Sequence, residues 1–183
     1  MNCDVHDFED SLQRSHEAHD LPIWEEMYRQ TFPDMIAMHD HREDGYWQRA
    51  GIDRSIILKS SKQILVDEKV RGRNRKTGRI YRDIAIEYVS NNRTDAPGWA
   101  EKELAADYIA YAIAPLGLGY LLPVLQFQAA WRRHKEEWLK RFPNKIAANN
   151  GYDTLFCPVP VKVLFPAIGE VFRPTFTPVE WEE

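Results

Sequence analysis

Asp53 and the triplet Asp67-Glu68-Lys69 are the residues whose types and spacing could do chemistry, with thirteen residues between the two aspartates. Side chains alternate faces along a strand, so in an extended segment Leu65, Asp67 and Lys69 share one side and Ile64, Val66 and Glu68 take the other. A carboxylate and an ammonium would then stand together. With a second carboxylate brought across from Asp53, the set suits phosphodiester hydrolysis. Two acidic oxygen donors can hold Mg²⁺, a hard cation, and the ammonium can orient an attacking water or offset charge on the transition state.

The elements that must position these groups are legible around them. Gly51-Ile52-Asp53-Arg54-Ser55-Ile56-Ile57-Leu58 and Gln63-Ile64-Leu65-Val66-Asp67-Glu68-Lys69-Val70-Arg71 are short runs rich in Ile, Leu and Val. Lys59-Ser60-Ser61-Lys62 between them has hairpin length and composition, which predicts a β-hairpin. An ordinary solvated edge strand could carry the same Asp-x-Lys pattern, with Asp53 closing a turn after Gly51. Context separates the two readings.

Taken together, Asp53 and Asp67-Glu68-Lys69 resemble the D…(D/E)-x-K signature of the PD-(D/E)XK nuclease superfamily, over about residues 45–115. The proline of the family's motif is Ile52 here. The resemblance implies a restriction-endonuclease-like α/β core with a central mixed β-sheet of four or five strands flanked by helices. It also implies Asp53, Asp67 and Lys69 as catalytic residues. Asp53, Asp67 and the Glu68 carbonyl would ligate Mg²⁺ or Mn²⁺, with the Glu68 side chain turned away. The substrate would be nucleic acid, with DNA preferred, and two opposed cuts would call for a homodimer. A non-catalytic nucleic-acid- or protein-binding module on the same fold is the alternative, and a protein-docking domain that uses the acidic N-terminal third is another.

Charge distribution bears on the partner. The net charge is −4, yet residues 1–50 hold twelve Asp or Glu against four Arg and no Lys, whereas residues 69–82 hold seven basic residues and no acid. Arg71, Arg73 and Arg75 in that basic run are candidates for phosphate contact. A solvated loop would have the same composition. Gln48, shortly before Asp53, is a candidate polar contact to substrate. Five of the six histidines lie between His6 and His41; His16 with His19, or His39 with His41, could pair on a transition metal, though neither pair has a third ligand close in sequence.

The remaining expectations concern organisation. With 183 residues, 44% hydrophobic and 28% charged, the chain is expected to form a single domain: an acidic helical part over 1–44, a core over 45–142 and a proline-rich extension over 143–183. Helices are predicted over residues 8–18, 22–32, 100–105 and 124–142, the last stopped by Pro143. Strands are predicted over 80–90, 107–114 and 120–122, the last two as an antiparallel pair. Glu87 is the one charge at the centre of the first of these and needs a partner. Five of the eleven prolines fall from residue 151 onward and argue against a long helix there. No apolar run reaches the ~20 residues of a membrane span and the N-terminus has no leader-like centre, which predicts a cytoplasmic protein without a membrane partner. Two cysteines, Cys3 and Cys157, offer neither a disulfide framework nor a cysteine zinc site.

Overall fold

The hairpin forms as its pattern requires. In the computed structural model, which describes residues 17–182, β2 (Arg54–Leu58) pairs antiparallel with β3 (Gln63–Arg71), Arg54 opposite Val66 and Ile57 opposite Gln63. β1 (Met35–Asp40) adds antiparallel to β2 on the outer side. The other edge of β3 takes β6 (Tyr108–Ile113) in parallel, and β6 returns antiparallel through a short turn into β7 (Leu118–Pro123). The result is a five-stranded mixed sheet of order β1-β2-β3-β6-β7.

Alternation along these strands sends apolar side chains to both faces. Val66, Ala110, Ala112 and Leu121 pack with Ile23, Trp24, Met27 and Tyr28 of α1 (Ile23–Thr31), all of them buried. Each large side chain so removed from water contributes roughly 1.5–3 kcal/mol. The opposite face, with Ile109, Tyr111, Ile113 and Leu122, packs against α3 (Val124–Arg141) through Phe127 and Trp131. A five-residue helix, α2 (Gly45–Arg49), capped by the Asp44 side chain, leads into the turn before Asp53.

A second, antiparallel sheet closes this larger core. β4 (Asp83–Asn91) pairs with the two-residue β5 (Ala96–Pro97) and with β9 (Tyr152–Pro160), which in turn pairs with β8 (Lys145–Asn149), giving the order β5-β4-β9-β8. Ile84, Ile86, Cys157 and Val159 bury against the core shared with α3 and α4 (Val161–Ile168). The architecture is α/β, with a mixed sheet, a separate antiparallel sheet and helices.

Several expectations hold here and several do not. The helices over 22–32 and 124–142 and the 107–114/120–122 strand pair form within a residue or two of their expected bounds. The 80–90 strand forms as β4 but belongs to the second sheet, because β6 occupies the edge of β3. Two further strands, β8 and β9, follow β7 in the chain, and no strand was expected over residues 145–149. Pro158 and Pro160 sit at the end of β9, past the residues that pair with β8, where a missing N–H interrupts no second ladder. No helix forms over 100–105. That segment is a turn in which the amides of Glu101 and Lys102 donate to the Gly98 carbonyl, and the Gln128 amide donates to the carbonyls of Trp99 and Lys102. Of the helix expected over 8–18, only the last turn falls within the described residues; His6, His16 and Cys3 lie outside them. Among the described residues, no helix is long and apolar enough to cross a membrane.

Candidate metal and catalytic site

Asp53 follows Gly51, whose φ of +71° and close approach to Leu104 favour glycine: an added Cβ would lie 2.4 Å from Leu104 Cδ2. Its neighbour Ile52 is buried, which anchors the turn. The Asp53 amide donates to the Val66 carbonyl at 2.9 Å, and its carboxylate Oδ2 accepts the Glu68 amide at 2.7 Å. Two backbone-level contacts therefore hold Asp53 directly against β3.

Asp67 and Lys69 share one face, as their spacing requires. Lys69 Nζ donates to Asp67 Oδ1 at 2.5 Å and to the Glu68 carbonyl at 3.2 Å. The Asp67 side chain is only 7% exposed, and its second oxygen, Oδ2, is buried with no hydrogen-bond partner among the described residues. Burial pushes the Asp67 carboxyl up to about 6, the Lys69 ammonium opposes that rise, and the neighbouring Asp53 carboxylate adds to it. Burial works against the Lys69 charge as well, yet Asp67 and Asp53 hold its pKa above the ordinary value, so it remains an ammonium.

A buried, unpartnered carboxylate oxygen beside a second carboxylate suits a hard divalent cation, which takes oxygen donors and would relieve their repulsion. Asp53, Asp67 and the Glu68 carbonyl are the groups that could hold one. Among the described residues, no three His, Cys, Asp or Glu side chains stand in a ready-made ligating cluster.

The raised Asp67 carboxyl has a consequence for stability. A carboxyl whose folded value lies above its unfolded value near 3.8 binds more protons in the folded state, so its contribution is full below that unfolded value and is lost as pH rises through about 6. Without added metal, unfolding by urea is expected to show up to about 3 kcal/mol of this loss between roughly pH 4 and 6. The Asp67→Asn variant should lack that part of the slope.

Glu68 points its side chain to the opposite face, as expected. There its carboxylate, with no exposed side-chain surface, accepts from Tyr28 Oη at 2.6 Å and Arg54 Nε at 2.8 Å and contacts His19 Nδ1 at 2.8 Å. Burial, followed by the Glu68 charge, holds the Tyr28 hydroxyl well above its usual pKa, so it serves as a donor. His19 Nε2 lies 3.7 Å from Asp53 Oδ1, which links this buried network to the candidate site. Sequence reading missed Arg54 and Tyr28, and took His19 only as a possible metal partner of His16. The signal was present for one of them: Arg54 interrupts an apolar strand and sits diagonally across the hairpin from Glu68.

The proposed substrate contacts are placed differently from expectation. Gln48 is exposed and its amide turns back to the Arg42 carbonyl, outside the cluster around Asp67. Arg71 pairs with Asp83 at 2.9 Å and lies over the Tyr81 ring. Arg73 donates to the Gly78 carbonyl and pairs with Glu180 at 3.4 Å, and Arg75 pairs with Glu182 at 3.8 Å. His41 bonds to the Ser55 hydroxyl and stacks on Trp47, so it joins no histidine pair. Glu25 and Glu26 bond to Arg29 and Thr177 on the surface. No protein-family model, curated protein or solved structure matches the chain.

Proposed function

We propose that the protein is a metal-dependent nuclease that hydrolyses phosphodiester bonds of nucleic acid, DNA foremost, on a fold akin to the PD-(D/E)XK superfamily. The observation that carries this reading is the meeting of Asp53, Asp67 and Lys69 at one point of the hairpin, with Asp67 Oδ2 buried and unpartnered. A bound Mg²⁺ or Mn²⁺ would supply an acidified water and charge stabilisation at the phosphate. Asp53 and Asp67 would hold that cation, with the Glu68 carbonyl beside them. Lys69, kept charged by the two carboxylates, orients the water and meets negative charge that develops on the phosphoryl oxygens.

The basic run enters as the phosphate contact. Arg73 and Arg75 face the acidic segment around residues 180–182, where the Trp181 carbonyl also accepts the Arg73 amide at 2.7 Å. These ion pairs are long and exposed, a class that contributes at most about 1 kcal/mol each. A phosphate backbone can therefore displace them. Replacing Glu180 and Glu182 together by glutamine is expected to tighten binding to short DNA about 2- to 5-fold, read by fluorescence anisotropy at low salt, with the gain shrinking as salt rises.

A non-catalytic nucleic-acid-binding module on the same fold is the second reading. It is favoured by the lack of a ready-made cluster of three ligating side chains among the described residues. Incubation with plasmid and short DNA in Mg²⁺ or Mn²⁺, alongside Asp67→Ala and Lys69→Ala, separates the two. Cleavage by the wild type that both variants lose supports the nuclease. DNA binding with equal inertness of all three supports the module.

A further inference from the structure

β7 ends the mixed sheet, and its outer edge is covered by the chain that follows α4. The Leu121 amide donates to the Phe172 carbonyl at 3.0 Å, and the Gly119 amide to the Pro174 carbonyl at 2.9 Å. Leu121 stands opposite Phe172 and Leu118 opposite Thr175, antiparallel, so the register between them sets Arg173 opposite Tyr120. Directly opposed residues of an antiparallel pair share a face. Arg173 is thereby brought to the face on which Tyr120 packs edge-on against Phe165 of α4, with ring centroids 4.9 Å apart.

Tyr120, Phe165 and Arg173, with Leu118, Lys162 and Pro174, line a cavity of about 400 Å³. That volume falls in the range that holds a small organic ligand. The charged side chains of the lining, Lys162 and Arg173, are both cations, and neither has a carboxylate partner among the described residues. The Arg173 guanidinium lies 4.8 Å from the Phe165 ring centroid. Stacking there holds the planar fork in place and leaves its N–H edge to meet an anion. A third cation, Arg82, is tied to the start of α4, where its carbonyl accepts the Val161 amide at 3.4 Å. Tyr120 is only 6% exposed, and its hydroxyl has no hydrogen-bond partner among the described residues. Burial holds that hydroxyl above its ordinary pKa against the pull of Arg82 and Arg173, so it stays a donor. An acceptor that enters the cavity would satisfy it.

We infer that this cavity binds a small organic phosphate with a planar aromatic body, of the class of a nucleoside monophosphate. Arg173 and Lys162 meet the phosphate, Tyr120 donates to it, and the apolar wall of Leu118, Phe165 and Pro174 takes the ring. Neither part of such a ligand matches the lining alone. A bare phosphate would leave the apolar wall wet, and a neutral nucleoside would leave the cations unanswered. The inference stands apart from the nuclease reading, since it uses no metal and no residue of the hairpin.

The test titrates adenosine monophosphate, inorganic phosphate and adenosine separately into the full chain by isothermal calorimetry. Low salt preserves the charge contacts, and EDTA keeps any cation from the hairpin. Wild type is expected to bind adenosine monophosphate about 10-fold or more tighter than either fragment. Arg173→Gln is expected to weaken that binding about 10-fold or more, the worth of a charge-assisted hydrogen bond, and Tyr120→Phe about 3-fold. Arg133→Gln, at an exposed position on α3, should leave it unchanged. Melting temperatures are recorded for each variant. No binding of adenosine monophosphate by the wild type at millimolar concentration overturns the inference. So does inorganic phosphate bound as tightly as adenosine monophosphate, or an Arg173→Gln protein that binds it within 2-fold of wild type. Should Arg173→Gln not fold, Lys162→Gln, at an exposed position, decides: a loss of roughly 5-fold is expected, and wild-type affinity there counts against the site.

Discussion

On the nuclease reading proposed above, Asp67→Ala is expected to lower the rate of DNA cleavage in Mg²⁺ by a factor on the order of 10³. Asp67 is the centre of the cluster: one oxygen receives Lys69, the other is buried without a partner, and the carboxylate of Asp53 stands beside it. Truncation removes a proposed cation ligand and also the group that positions the ammonium. Lys69→Met should also reduce the rate by about 10²-fold or more, because it removes the ammonium that would orient the water. Cleavage by Asp67→Ala at the wild-type rate, measured as loss of supercoiled plasmid over time, would place the chemistry elsewhere.

The second large effect is on stability. Arg54 lies mostly out of solvent, and its guanidinium makes two contacts with Glu68, at 2.8 and 3.3 Å, on the face opposite the candidate site. Arg54→Met removes that counter-charge and leaves a carboxylate with no exposed surface facing only Tyr28 and His19. Breaking a buried pair from one side in this way costs about 3–5 kcal/mol. For a domain of this size that corresponds to roughly 10 °C in melting temperature. Replacing both partners, Arg54→Met with Glu68→Leu, should recover much of the loss, since no unpaired charge is then buried. Urea denaturation of the single and double variants checks this; equal destabilisation in both would mean that the network acts through packing and not through charge. Because Glu68's amide and His19 both touch Asp53, Arg54→Met should also impair the site that Asp53 serves.

Both effects depend on the two faces of one strand. Asp67 and Lys69 on one side and Glu68 on the other follow from the period-2 alternation of any extended chain, and that much is legible from the residues between Gln63 and Arg71. So is the hairpin, because Ser60 and Ser61 separate two apolar runs of the length strands prefer. The helices at Ile23–Thr31 and Val124–Arg141 were equally legible, since an apolar stripe at helical spacing leaves few alternatives. These are local patterns, and local patterns need no partner to be read.

Partners chosen from afar could not be read in this way. Periodicity marks Asp83–Asn91 as a strand but does not say that its neighbour is Tyr152–Pro160, about seventy residues on, or that two prolines are tolerated at the end of that neighbour. The acids that meet Arg71, Arg73 and Arg75 lie at Asp83, Glu180 and Glu182, so a basic run that reads as open to phosphate is already paired within the fold. Gln48 shows the same limit on a smaller scale, since its sequence position near Asp53 does not stop a one-turn helix from aiming it at the Arg42 carbonyl.

The sequence by itself determined which residues carry charge, which stretches extend or coil, and that Asp67 and Lys69 must share a face. The tertiary structure alone decided what surrounds those groups: that Asp53 is held against β3 by the Glu68 amide, and that Glu68 is paired with Arg54 on the opposite face. The physical reason is range. Alternation and helical period are set by backbone geometry over a few residues, whereas burial, and with it the strength of every charge interaction at the site, is set by which distant segments exclude water together.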